Sequence, residues 1–234
     1  MKQFQSRLAS AVAIALLSTT AFATVGASSA SAAPTKLVGV FKLTAGASAG
    51  SSAKGTYFRM LQPGGKLGSG PYLPNANSAA SNKTFTLLKP GADGGLSTAK
   101  LQAGPNPAFD ANGNALATRI IKPTSFFGKN FSVTTTAKDP QTGKPTKLPV
   151  ITYDGKGHLK GDLSAFAAWW SKQKFNQGSP KPGGAKPGLT AGPTGTYNPK
   201  TKAFVLTWSS AIVGGPFNGF TGQWHLQGKF VAKK

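Results

Sequence analysis

From Phe220 onward the apolar residues fall on alternate positions: Phe220, Trp224, Leu226 and Phe230, with Gly222 and Gly228 in the same phase. Thr221, Gln223, His225, Gln227 and Lys229 take the places between. A period of two predicts a strand with one buried and one wetted face, because successive side chains of an extended backbone point to opposite sides. The preceding run repeats the pattern with Phe204, Leu206, Trp208 and Ile212. Between the two lies Gly214-Gly215-Pro216-Phe217-Asn218-Gly219, dense in turn residues, so an antiparallel pair is predicted.

The same grammar continues upstream. Lys36 to Leu43 and Thr56 to Leu61 read as strands, the second stopping at Pro63-Gly64-Gly65. The Ala/Gly/Ser patch 45–53 predicts a flexible loop, and 66–82, with no periodicity, a long surface loop. Thr84 to Leu88 is strand-like. Turn chemistry then recurs in Phe109 to Leu116, in Ala137 to Gly143 (linking Phe131–Thr135 to Leu148–Tyr153), in Tyr153 to Leu159, and in Tyr197 to Phe204. Asp or Asn followed by a tight turn between strand-like runs favours hairpins.

One segment departs from this. Asp162 to Phe175 is alanine-rich, and Leu163, Phe166, Ala167 and Trp170 share a face at helical spacing. Asp162 is placed as an N-cap, and Lys172 and Lys174 suit a helix C-terminus. The prediction is one short helix covering a sheet opening. The Pro/Gly-rich stretch 178–193 follows as a crossing loop or tether. The fold class expected is therefore mainly β: an antiparallel β-sandwich or distorted barrel with one short α-helix.

Composition adds a compartment and a charge. Residues 1–32 have the form of a secretory signal peptide: Lys2 and Arg7, an apolar run from Ala11 to Leu17, and Ala30-Ser31-Ala32 as the cleavage site. That run is far shorter than the roughly 20 residues needed to span a bilayer, and no later run reaches that length. The expected product is one β-rich domain over 33–234, secreted and extracellular or cell-wall associated, with no integral membrane segment once the signal is removed. There is no cysteine, so stability must come from a packed core rather than disulfides.

Twenty-seven Lys+Arg face five acids, all aspartate, for a formal net charge of +22. Such a balance draws polyanions: an anionic cell-wall polymer, an acidic polysaccharide, or nucleic acid bound nonspecifically. Nearly all the cations are lysines, which lack the bidentate fork that reads base edges, so sequence readout is not expected. Lys181, Lys186, Lys200 and Lys202, in and near the Pro/Gly loop, are the candidate polyanion contacts. The alternative reading is a small-ligand domain using the polar face Gln223, His225 and Gln227 beside an aromatic pocket.

Catalytic motifs are sparse. Gly46-Ala47-Ser48-Ala49-Gly50 matches the nucleophile-elbow pattern in letters but sits in a small-residue patch with no strand-to-helix context. Asp154, His158 and Asp162 form the one compact set for a hydrolase, although each aspartate also suits a turn or a cap. Asp110 to Asn114 opens like a calcium loop, but Ala115 and Ile121 stand where glycine and glutamate are needed. The lysines after Gly65 and Gly143 lead into Leu67 and Pro145, which breaks a phosphate loop. No cofactor or metal motif is found, and a non-catalytic role is expected.

Gly55-Thr56-Tyr57-Phe58-Arg59-Met60, Phe175 to Pro182, and Ile212 to Asn218 running into Phe220 to Leu226 resemble a group of secreted actinobacterial proteins. The resemblance covers most of the chain after the signal. It implies export from a Gram-positive-type cell and one continuous domain, and brings no activity or site residue with it.

Overall fold

The computed structural model describes residues 33–98 and 100–233. The segment read as a signal peptide, 1–32, lies outside the described residues. In chain order the strands are β1 (Thr35–Lys36), β2 (Gly39–Leu43), β3 (Ala47–Ala49), β4 (Ser52–Lys54), β5 (Tyr57–Lys66), β6 (Gly70–Tyr72), β7 (Thr86–Leu87), β8 (Gly95–Ser97) and β9 (Thr124–Phe126). They continue as β10 (Lys129–Thr135), β11 (Val150–Tyr153), β12 (His158–Asp162), β13 (Phe166–Trp170), β14 (Gln173–Asn176), β15 (Ala191–Tyr197), β16 (Ala203–Ala211) and β17 (Thr221–Ala232).

The main sheet runs β1-β11-β12-β15-β16-β17-β2-β8, with β5 also on β17 and carrying β6 and β7. Its pairs are antiparallel, and it curls into a half-barrel. The period-two strand at the C-terminus is its axis. β17 pairs with β16 through Thr221 to Lys229, with β5 through Thr221 to His225, and with β2 through Gly228 to Ala232. A second sheet, β14-β13-β10-β9, faces it, and β3-β4 form a separate hairpin.

The core fills the space between the two sheets. Phe41, Phe58, Leu206, Trp208, Trp224 and Leu226 come from the main sheet, and Phe131, Val133, Phe166 and Phe175 from the smaller one. Trp208 and Trp224 are direct cross-strand partners whose rings stack at 5.8 Å and 11°. Their indole N–H groups both donate to Gln177, one to its backbone carbonyl at 2.8 Å and one to its side-chain oxygen at 3.3 Å. An indole buried without such a partner would carry a desolvation cost of about 1–3 kcal/mol.

Among the described residues there is no helix, which corrects the element expected over Asp162 to Phe175. That segment is the hairpin β13–β14, turned by Ser171 and Lys172 at φ 50° and 60°. The alanines misled because β13 is covered on both sides. Phe166 enters the main core, while Ala167 and Trp169 pack with Ala115 and Ala117 in a second cluster behind the smaller sheet. A strand buried on both faces loses the alternation that marks a half-exposed one. Asp162 does not cap a helix; its Oδ1 accepts from the Ser164 N–H at 2.9 Å in a turn after β12.

Other local expectations also shift. The 45–53 patch is the β3–β4 hairpin, β5 continues through Pro63-Gly64-Gly65, and 66–82 contains β6. The turn 137–143 does not join paired strands. β10 pairs with β9 and β13, whereas β11 pairs with β1 and β12, so the segment crosses between sheets. Since the chain described holds no helix, none is present that is long and apolar enough to cross a membrane.

Candidate functional site

Register builds the site. Lys36 stands opposite Thr152, Thr152 opposite Lys160, Lys160 opposite Thr194, and Thr194 opposite Thr207. The row continues from Thr207 to His225 and from His225 to Tyr57. Directly opposed residues share a face, and these alternate with the buried Ile151, Leu159, Leu206 and Trp224, so the row lies on the outer face of the half-barrel. On that face Ala203 stands opposite Lys229, and Lys229 opposite Lys42. Lys36, Lys42, Lys160 and Lys229 are all exposed.

These cations are not neutralised from within. Among the described residues, Arg119–Asp93 at 2.9 Å and His158–Asp154 at 2.7 Å are the ion pairs, and no lysine takes part in one. Each aspartate is already engaged locally. Asp110 accepts from Asn114, and Asp139 from the Gln141 N–H and the Thr142 hydroxyl. Hydrogen bonds and the Arg119 charge hold Asp93 below its usual pKa despite some desolvation.

An open groove of about 610 Å³ runs over this face, lined in part by Lys156, His158, Thr196, Asn198, Gln227 and Lys229. The β15–β16 turn borders it and carries Lys200 and Lys202, both exposed. The Asn198 side chain shapes that turn by accepting from the Lys200 and Thr201 N–H groups at 2.9 and 3.1 Å, and Lys202 sits at φ 61°.

Lys186 is exposed in the 178–190 stretch, but Lys181, expected as its surface neighbour, is buried at 8% exposure. Its Nζ donates to the Asn176 carbonyl and to Ser210 Oγ, both at 2.6 Å. Burial among neutral partners lowers its pKa to about 8, partly opposed by Asp139. Lys181 therefore pins the Pro/Gly stretch to β16 and is not part of the outer face. The stretch is ordered by further bonds, including Lys181 N–H to the Ala185 carbonyl at 2.8 Å.

The polar row of β17 is spent largely on internal contacts. Gln223 accepts from the Tyr72 hydroxyl at 2.9 Å, and Gln227 accepts from the Gly55 N–H at 3.0 Å. His225 stacks on Tyr57, ring centroids 4.4 Å apart and 3° from parallel, and its Nδ1 donates to the Gly55 carbonyl at 2.8 Å. Burial lowers its pKa. Beyond Tyr57 the ladder continues through Phe85, edge-on at 5.1 Å, to Arg59, whose guanidinium lies between the Phe85 and Tyr72 rings at 4.3 and 3.2 Å from their centroids.

The Asp154/His158/Asp162 set does not converge. Asp154 accepts from the Lys156 and His158 N–H groups at 2.7 and 3.0 Å and from the His158 ring, the bonding of a hairpin turn. Asp162 is four residues further along β12 than His158, about 13 Å away in an extended strand. No group of three metal-ligating side chains occurs among the described residues. The aromatic pocket of the alternative reading is an apolar cavity of about 40 Å³ lined by Phe58, Phe126, Trp170, Phe217 and Trp224, among others. Ligand pockets commonly hold about 300–1,000 Å³.

Lys36, Lys42, Lys160 and Lys229 lie outside the set of contacts expected from sequence. The available signal was their phase, since Lys42 lies between Phe41 and Leu43 and Lys160 follows Leu159. Comparisons of the chain with known protein families, with curated proteins and with solved structures find no match.

Proposed function

We propose that this is an exported, non-catalytic protein that binds anionic polymers through the lysine-bearing outer face of its main sheet. The observation that carries the reading is the cross-strand register, which gathers Lys36, Lys42, Lys160 and Lys229 on one face, none of them paired with a carboxylate. Lys200 and Lys202 extend this field at the groove edge; Lys181 is withdrawn from it. The signal-like leader and the absence of cysteine support an extracellular setting, as does the resemblance to secreted actinobacterial proteins. Spread ammonium groups neutralise phosphates or carboxylates one by one, and release of the polymer's counterions drives association.

The test is retention of the processed protein on cell walls and on DNA across a salt gradient. The expected result is binding at low salt to both and release at moderate salt. A variant with Lys36, Lys160 and Lys229 replaced by glutamine should elute at lower salt with its fold intact. Flow-through of the unaltered protein at low salt would reduce the charge to an aid to solubility.

A further inference from the structure

We infer that the outer face of His225 is a stacking site for a nucleobase, so that the polymer bound is single-stranded nucleic acid. This rests on the polyanion reading above and narrows it.

The ladder Tyr72, Arg59, Phe85, Tyr57, His225 is closed on the Tyr57 side, where each planar group has a neighbour. His225 is its open end. Because the imidazole is parallel to the Tyr57 ring on β5, its opposite face is directed across the sheet toward β16. The directly opposed residue there is Thr207, and beyond it Thr194. Among the described residues no second ring stacks on His225.

Two short side chains thus follow the ladder where further rings would continue it. Strands lie about 4.8 Å apart, within the centroid spacing of offset-stacked rings. A planar group resting over Thr207 would extend the stack by one rung. Lys160 stands opposite Thr194, one strand further, placed to meet the backbone phosphate of a base seated there. The imidazole is held in plane by its Nδ1–H bond to Gly55 and is kept from protonating readily by burial, so it offers a neutral, fixed π-face. A face that combines lysines with one stacking platform suits single strands, whose bases are free to leave the helix stack. It suits duplexes less, since their bases are covered.

The experiment compares binding of the processed protein to oligo(dT), to inorganic polyphosphate of matched charge, and to polygalacturonate, at one fixed salt concentration. His225→Ala removes a hydrogen bond as well as a ring and disturbs the packing on Tyr57, so the second variant is Thr207→Ile. That change fills the open rung with a branched aliphatic side chain that offers no flat face, at a partly exposed strand position where β-branched residues are well tolerated.

The expected result is about tenfold or more tighter binding of oligo(dT) than of polyphosphate, as one stacked base provides. In Thr207→Ile the preference falls to about one while polyphosphate binding is unchanged. Equal binding of oligo(dT) and polyphosphate, insensitive to Thr207→Ile, overturns the stacking site and leaves the polyanion reading standing. A preference for polygalacturonate that Thr207→Ile abolishes puts a sugar ring in the slot and overturns the nucleobase. No binding of any of the three at low salt removes the polyanion reading, and this inference with it.

Discussion

Lys42 and Lys229 stand directly opposite one another across β2 and β17, both exposed and neither in an ion pair. Like charges in that relation destabilise a sheet by roughly 0.2–1 kcal/mol. A fold under selection for stability alone has no reason to keep them. Replacing Lys229 by glutamine is expected to raise the unfolding free energy by about that amount. It should also weaken polymer binding and lower the slope of log affinity against log salt by about one. Chemical denaturation together with a salt titration reads both. A stabilised variant with unaltered binding would place the contact elsewhere.

Lys181 predicts a pH dependence of stability. Its pKa in the folded protein is about 8, below the 10.5 of an unperturbed lysine, because burial disfavours the charged amine. Between those values the unfolded chain binds the extra proton, so this group's contribution makes stability rise with pH from about 8 to 10.5. The charged form costs the fold about 3 kcal/mol at neutral pH, a cost that vanishes above the unfolded pKa. The difference in unfolding free energy between the protein and Lys181→Met, followed across that window, is expected to show this rise. A flat difference would mean that Nζ is solvated as an ordinary surface lysine.

Asp154 predicts the opposite dependence at the acid end. Two backbone N–H groups and the His158 ring bond its carboxylate and lower its pKa to about 2. The stabilisation is fully present above the unfolded value of 3.8 and is lost as pH falls toward 2. Asp154→Asn retains a side-chain oxygen for the turn and should keep much of the hairpin's stability at neutral pH, whereas Asp154→Ala should not. Thermal unfolding at pH 3 and pH 7 separates the three proteins. Near-equal loss in both variants would assign the role to charge rather than to turn geometry.

What could be read from sequence followed burial on one side. The strands β16 and β17 show their alternation because one face meets the core and the other water, and the Tyr153–Leu159 and Tyr197–Phe204 turns show in their Asp, Asn and Gly. The β13 segment was illegible because its second face is hidden under Ala115 and Ala117, a contact between residues far apart in the chain. The burial of Lys181 is hidden from the sequence for a similar reason. A lysine among prolines and glycines reads as solvated, and only the approach of Ser210 and Asn176 shows that it is enclosed. The outer lysine row depends on register across six strands from β1 to β17, which periodicity within a single strand does not encode.

The cover over β13 makes a prediction of its own. Gly104 lies against Trp169, so that a Cβ there would come within 2.2 Å of the indole ring. Trp169 is held from its other neighbours by Ala115, Ala117 and Ala167, all buried, and by Phe109 at 5.9 Å. The ring cannot retreat without opening that cluster, because close-packed interiors have no slack for an added methyl. Gly104→Ala is therefore expected to destabilise the protein by about 1–3 kcal/mol. Gly192→Ala, at a glycine with open space around its Cβ position, should have little effect. Denaturant unfolding of the two variants checks this, and near-UV dichroism should register a changed Trp169 environment in the first alone. Since Trp169 faces away from the lysine row, binding per folded molecule should be unaltered in both.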